Sequence, residues 1–223
     1  YNGDDENTLK AIKNIKGKEM ISFGFKDTND YYAENVEEYK GAFTKFDIMY
    51  KGEKLGSVEL SIPGIHNVLN ALAAVASAIY SGAKFQDCVK GLQEFKGAGR
   101  RFEDLGTYNG IDFVDDYAHH PAELKVTLEA AMKMGYNTVW AVFQPFTYSR
   151  TAMHFDEFVD VLKIPDRCVM TEIMGSREMN TYDIYTSQLA EKIPDSVWFN
   201  TQEEVAEYVV KNAKAGDLVL TMG

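Results

Sequence analysis

From residue 106 to its end the chain alternates apolar strand-length runs with helix-length segments, and few folds accept that order. A strand pair is expected around 106–115, then helices at 121–134, 151–162, 182–192 and 201–212. Strands at 138–143, 167–172, 197–199 and 217–221 separate them. Strictly alternating elements of this kind call for a mostly parallel sheet, helices over its faces and right-handed crossovers. Open sheets of that class bind ligands where strands end and helices begin. The polar residues at those junctions are therefore the first place to look for chemistry.

The first part of the chain reads differently. Strands are expected at 20–25, 42–50 and 57–62, the last two joined through Lys51-Gly52-Glu53-Lys54 as an irregular β-hairpin. After Pro63-Gly64, the residues Val68, Leu69, Leu72, Val75, Ala76 and Ile79 recur at helical spacing. Ser81-Gly82 stops that helix, and a second one spans 85–95. Lys96-Gly97-Ala98-Gly99 has the character of a linker, which divides the chain into 1–96 and 97–223. The fold class expected is α/β: a Rossmann-like, mostly parallel sheet, preceded by a β-hairpin and helices.

A net charge of −11 opposes a surface for a nucleic-acid backbone, though local basic clusters could still hold a small phosphorylated ligand. No apolar run approaches the length of a membrane span, and no membrane partner is expected. Cys88 and Cys168 lack metal-ligand spacing and read as free thiols.

Five stretches carry candidate chemistry. In Pro63-Gly64-Ile65-His66-Asn67-Val68-Leu69-Asn70, polar side chains crowd a helix start, whose unpaired N–H groups can meet an anion. The Asn67 and Asn70 amides suit the edge of an adenine, and they suit helix capping with a buried Asn70 equally well. In Gly99-Arg100-Arg101-Phe102-Glu103, adjacent arginines on a strand would face opposite ways, so at most one should easily serve one ligand, and a solvated surface pair is the plain reading. Asp115-Asp116-Tyr117-Ala118-His119-His120-Pro121-Ala122-Glu123 is the densest. Strand parity lets at most one of Asp115 and Asp116 face a pocket, and Pro121 should open a helix just beyond the two histidines. In Phe143-Gln144-Pro145-Phe146-Thr147-Tyr148-Ser149-Arg150-Thr151, Arg150 is a candidate carboxylate clamp, and Ser149 or Thr151 a helix cap. Tyr148 there either contacts a ligand or merely packs. Thr171-Glu172-Ile173-Met174-Gly175-Ser176-Arg177-Glu178 is a third junction on the same sheet edge. Two histidines and an aspartate might hold a metal, but the helical H-x-x-x-H spacing is absent.

Taken together, these stretches resemble the Mur ligase family of peptidoglycan synthesis, most nearly its member that adds the first amino acid. The matching runs are 64–74, Arg100-Arg101-Phe102-Glu103, Asp115-Asp116-Tyr117-Ala118-His119-His120-Pro121, Phe143-Gln144-Pro145 and Tyr148-Ser149-Arg150-Thr151. Asn2 with Asp4-Asp5, and Asp30-Tyr31 with Ala33-Glu34-Asn35, look like later parts of that family's central ATPase domain. The resemblance implies that 1–96 ends the central domain and 97–223 is most of the C-terminal, amino-acid-binding domain. It implies a cytoplasmic, ATP-dependent ligase joining L-alanine to UDP-N-acetylmuramate through an acyl phosphate. His66, Asn67, Asn70, Arg101 and an aspartate of the pair Asp115 and Asp116 would serve the nucleotide. His119 and His120 would be catalytic, and Tyr117, Tyr148 and Arg150 would bind substrate.

Three departures qualify what the resemblance implies. Relatives usually carry His where this chain has Phe146. The phosphate-cradling run G-x-x-G-K followed by Ser or Thr occurs nowhere in the sequence, and the ligands for Mg2+ are expected upstream of Tyr1. The closing Thr221-Met222-Gly223 would run on in relatives. The expectation is therefore a fragment that is inactive by itself. Alternatives are a recycling ligase that attaches a tripeptide to UDP-N-acetylmuramate, a non-catalytic nucleotide- or amino-acid-binding module, and a metal hydrolase on Asp115, His119 and His120. The sequence does not specify an oligomeric state.

Overall fold

The computed structural model describes residues 1–39 and 42–223, in two units, Tyr1–Gly97 and Ala98–Gly223. The first unit begins with α1 (Glu6–Ile12), capped by Asp5, and a two-residue strand β1 (Phe23–Gly24), much shorter than 20–25. Next come β2 (Tyr31–Tyr39), β3 (Phe43–Tyr50) and β4 (Glu53–Glu59), then α2 (His66–Tyr80) and α3 (Phe85–Glu94). The sheet runs in that order, with β1 parallel to β2 and the remaining pairs antiparallel.

Strand β2 was not anticipated from the sequence. Its Glu34, Glu37 and Glu38 break the apolar alternation, and a register shift between Glu34 and Glu37, with Asn35 at φ 51°, breaks its parity. Its charge is offset across the ladder, where Lys45 sits 2.8 Å from Glu37. The β3–β4 turn closes over Lys51-Gly52 alone, both at positive φ, so β4 starts at Glu53 rather than near residue 57. Phe46, Ile48 and Val58 form the sheet side of this unit's core, and Val68, Leu72 and Val75 of α2 the helix side.

The second unit contains β5 (Glu103–Tyr108), β6 (Ile111–Asp116), α4 (Pro121–Met132), β7 (Val139–Phe143), α5 (Tyr148–Met153) and α6 (Phe155–Val161). It continues through β8 (Arg167–Thr171), α7 (Thr186–Ala190), β9 (Val197–Phe199), α8 (Gln202–Asn212) and β10 (Leu218–Met222). The six-stranded sheet has the order β5-β6-β10-β7-β8-β9 and is parallel except for the β5–β6 hairpin, so the mixed α/β expectation holds. Its faces are unequal. Leu124 and Leu128 of α4, Phe158 of α6 and Leu189 of α7 pack on one face with Val114, Phe143 and Leu220. On the other, α8 brings Val205 and Val209 against Ile111, Trp140, Val169 and Val219.

Helix 151–162 is two helices. His154 (φ −114°, ψ 27°) ends α5 and begins α6, and α5 starts three residues earlier than expected, at Tyr148. Helix 182–192 shrinks to α7 because the Asn180 amide holds both backbone polar groups of Ile184 outside the helix. Both cysteines are free, and burial pushes the Cys168 thiol up to about 12. Among the described residues no helix is long and apolar enough to cross a membrane.

Candidate functional site

Strand β6 delivers the two aspartates to opposite faces, as parity required. Asp116 turns toward α4 and is 6% exposed. It accepts from the Ala118 N–H at 2.8 Å, the Phe102 N–H at 3.0 Å and the Thr127 hydroxyl at 3.2 Å. Burial pushes its pKa up against those hydrogen bonds. Asp115 turns toward α8 and accepts from Arg100 Nε at 2.8 Å and the Thr221 hydroxyl at 2.7 Å. That ion pair holds the Arg100 guanidinium above its ordinary range. Asp115 and Arg100 line a cavity of about 400 Å³ together with Phe113, Val142, Val205 and Val219.

The expectation that Arg100 and Arg101 diverge is overturned. It assumed a strand, whereas β5 begins only at Glu103 and Arg100 and Phe102 both have positive φ, 55° and 51°. The turn is pinned by Tyr117 N donating to Arg100 O at 2.7 Å, and by Arg100 N donating to the Glu103 carboxylate at 2.6 Å. Both guanidinium groups consequently lie over the Tyr117 ring, 4.8 Å away for Arg100 and 5.8 Å for Arg101.

The two histidines differ in what they have left to offer. His119 Nδ1 lies 2.8 Å from the Tyr117 carbonyl, so that nitrogen carries the proton and a neutral ring keeps its Nε2 lone pair. His120 is the N-cap of α4. Its Nδ1 accepts from the Ala122 N–H at 3.2 Å, and Pro121 occupies the first turn. Its ring stacks edge-on against His154, with centroids 4.6 Å apart. Glu123 completes the capping box, accepting from the N–H groups of His119 and His120 at 3.1 and 3.3 Å. Burial pushes the Glu123 carboxyl up, but the His119 and His120 contacts outweigh it and the net shift is downward.

At the end of β7 the chain enters Gln144–Arg150. Arg150 reaches back so that one Nη donates to the Phe146 carbonyl at 3.0 Å, with its guanidinium 5.8 Å from the Phe146 ring centroid. Among the described residues this is its single hydrogen bond, out of five N–H donors. Thr151, proposed as a cap, is instead buried inside the helix and donates to Thr147 O at 2.7 Å. Ser149 is not the cap either. It receives one, because the Glu178 carboxylate accepts from the Ser149 N–H at 2.8 Å and from its hydroxyl. These contacts hold Glu178 below the usual carboxylate range. Tyr148 packs against Gly175 so closely that an added methyl group would overlap its ring.

The result is a row of rings with arginines at both ends, along one sheet edge. The Arg100 and Arg101 guanidinium groups sit on Tyr117, Tyr117 meets His119 edge-on at 4.9 Å, His119 meets Phe146 at 6.3 Å, and Phe146 carries Arg150. Within the first unit, His66, Asn67 and Asn70 form the opening turn of α2, as expected. Asn67 Nδ2 donates to Pro63 O at 2.7 Å, and Asn70, exposed rather than buried, donates to Asn67 Oδ1 at 2.9 Å. The outward side of the Asn70 amide is what remains for a ligand. Among the described residues no group of three or more His, Cys, Asp or Glu side chains is placed to hold a metal ion.

Residues 100–223 match the Mur ligase glutamate ligase domain, and residues 1–78 match the Mur ligase middle domain. The chain belongs to the Mur ligase family. Among Mur ligases it is 40% identical over 225 residues to a UDP-N-acetylmuramate–L-alanine ligase of Acetivibrio thermocellus, covering 99% of this chain and 48% of that protein. It is 40% identical over 211 residues to the same-named protein of Lachnospira eligens, covering 92% of this chain and 46% of that one. The chain thus spans about half the length of these curated relatives. A crystal structure of a UDP-N-acetylmuramate–alanine ligase from Thermotoga maritima superposes with a TM-score of 0.76 at 24% identity, over 91% of this chain and 44% of that one, which shows a shared fold.

Arg100, Glu123, Gly175 and Glu178 lie in the stretches singled out from the sequence, but none of them was assigned a role in the site. Glu123 was within reach of sequence reasoning, since a glutamate three residues after a capping position is a signature. The others depend on contacts made across the fold.

Proposed function

We propose that this chain supplies the amino-acid-binding unit, and part of the ATPase unit, of a ligase that joins L-alanine to UDP-N-acetylmuramate at the expense of ATP. The observation that carries the reading is the cation-and-ring row, at whose end Arg150 holds four N–H donors in reserve. A planar guanidinium with open donors fits the carboxylate of an amino acid. The names of the relatives in both comparisons point the same way.

In this reading Arg150 grips the alanine carboxylate, with Tyr148 and Tyr117 as walls of the subsite. His119, held through Nδ1, offers Nε2 to take a proton from the alanine ammonium group. The freed amine attacks the carbonyl carbon of a muramyl acyl phosphate. The C–N bond forms, the C–O bond to phosphate breaks and inorganic phosphate leaves. His120, committed through Nδ1 to the α4 cap, sets the position of His119 and presents its remaining ring nitrogen. In the second unit Arg101 serves the ribose or phosphates of a nucleotide, with Arg100 paired to Asp115 beside it. In the first, Asn70, which donates to Asn67, serves the adenine. Catalysis by this unit is positioning and charge stabilisation. ATP would bring Mg2+, which would neutralise charge on the phosphates. The reaction belongs in the cytoplasm, where ATP is made available.

The test is phosphate release by the natural gene product with ATP, UDP-N-acetylmuramate and L-alanine. The 223-residue chain, which has no G-x-x-G-K run, should release none. Preference for a tripeptide over L-alanine would move the protein to the recycling class, and nucleotide binding without turnover to the non-catalytic class.

A further inference from the structure

The loop after β8 takes no direct part in that chemistry, yet it is locked onto the loop that carries Arg150. Met174 N donates to Pro145 O at 2.8 Å, and Phe146 and Met174 form a parallel bridge. Gln144 Nε2 donates to Glu172 O at 3.2 Å, and Tyr148 lies on Gly175 with no room for a side chain beneath it. Glu178 closes the set with one carboxylate oxygen on the Ser149 N–H and the other on the Ser149 hydroxyl.

Helix α5 needs this support. It is six residues long, with Thr151 its one buried residue, and no side chain of its own caps it. An isolated helix of that length does not persist in water, so its first turn must be held from elsewhere. Arg150 stands on that turn. Its own tether, one hydrogen bond to Phe146 O, ties it to the same loop and cannot fix the loop's orientation.

We propose that Glu178 is a positioning residue for amino-acid recognition, with Gly175 as its partner: they fix the first turn of α5, and through it the direction in which Arg150 presents its open donors. The inference rests on Arg150 gripping the amino-acid carboxylate, as set out above. A misdirected guanidinium loses bidentate geometry before it loses charge. The cost should fall on amino-acid affinity and leave the nucleotide side unaffected.

Steady-state kinetics of the natural gene product, with L-alanine and ATP varied separately, provide the test. Glu178→Ala should raise KM for L-alanine by about 10-fold or more while changing KM for ATP and kcat by less than about two-fold. Glu178→Gln can still accept from the Ser149 N–H and can donate to its hydroxyl, so it should recover most of the loss. Gly175→Ala should behave like Glu178→Ala by lifting Tyr148. Tyr136→Phe, which removes a hydrogen bond to Asp112 at the opposite edge of the sheet, controls for general destabilisation and should leave KM for L-alanine unchanged. An unchanged KM in Glu178→Ala, or a rise equal to that in Tyr136→Phe, overturns the proposal. If wild-type enzyme turns over without requiring an amino acid, the functional reading itself fails, and that outcome is separate from the first. Should Glu178→Ala fail to fold, Gly175→Ala and Glu178→Gln carry the same comparison.

Discussion

Helices α4 and α5 both begin where a strand of the parallel sheet ends, and both carry proposed active groups, but they are held by different means. Helix α4 buries Leu124, Thr127, Leu128, Ala130 and Ala131, and it is capped from its own sequence by His120 and Glu123. Helix α5 buries Thr151 alone and takes its cap from Glu178, 29 residues further along the chain. A helix anchored by a long apolar face can present its first turn rigidly by local means. A short helix with almost no apolar face becomes precise only when another loop fixes it. The contrast suggests why Arg150 can be tuned separately from His119.

The largest expected effect probes the apolar half of this contrast. Leu128, fully buried under α4, should cost about 2–5 kcal/mol when replaced by Ala, read as a shift in the denaturant midpoint of the chain. A loss below about 1 kcal/mol would mean that α4 is not core-anchored. Asp116→Asn comes next, since an amide cannot accept from Phe102, Ala118 and Thr127 together and leaves a buried N–H facing a donor. About 1–3 kcal/mol should be lost, by the same measurement. Glu123→Ala removes only a local cap, and about 1 kcal/mol is expected, with thermal unfolding as the check.

The smallest effect concerns pH. Glu123 and Glu178 both have folded pKa values below the ordinary glutamate value. Their contribution is therefore complete above the unfolded pKa, roughly 4.3, and fades as pH falls through the folded values. Asp116, shifted upward, has the opposite sign, and its ionisation costs stability as pH rises from about 3.9. Denaturant titrations from pH 6 to pH 3 should show a shallower acid loss in Glu178→Ala than in wild type. An identical slope would leave Glu178 without a charged role in the cap.

The sheet and its helices were legible because the alternation of apolar runs has one economical solution. The split of Asp115 from Asp116 was legible because strand parity is geometric. Strand β2 was not, since its glutamates break the apolar pattern and the Lys45 that pairs with Glu37 lies on a neighbouring strand. The break at His154 was hidden because Phe155 and Phe158 continue a helical pattern across it. The pairing of Arg100 with Arg101 on Tyr117 was hidden by a turn whose positive φ values no glycine announces.

The sequence by itself determined the class of sheet, the edge where ligands would gather, and the residues with chemistry to offer there, because periodicity and residue type are local properties. Only the tertiary structure decided which of those residues are free to act. Asp116 and His120 spend hydrogen-bonding capacity on the fold, while His119 Nε2 and the outer donors of Arg150 remain open among the described residues. Hydrogen-bond capacity is finite, and its use is settled by neighbours remote along the chain, such as Thr221, 106 residues from the Asp115 it serves.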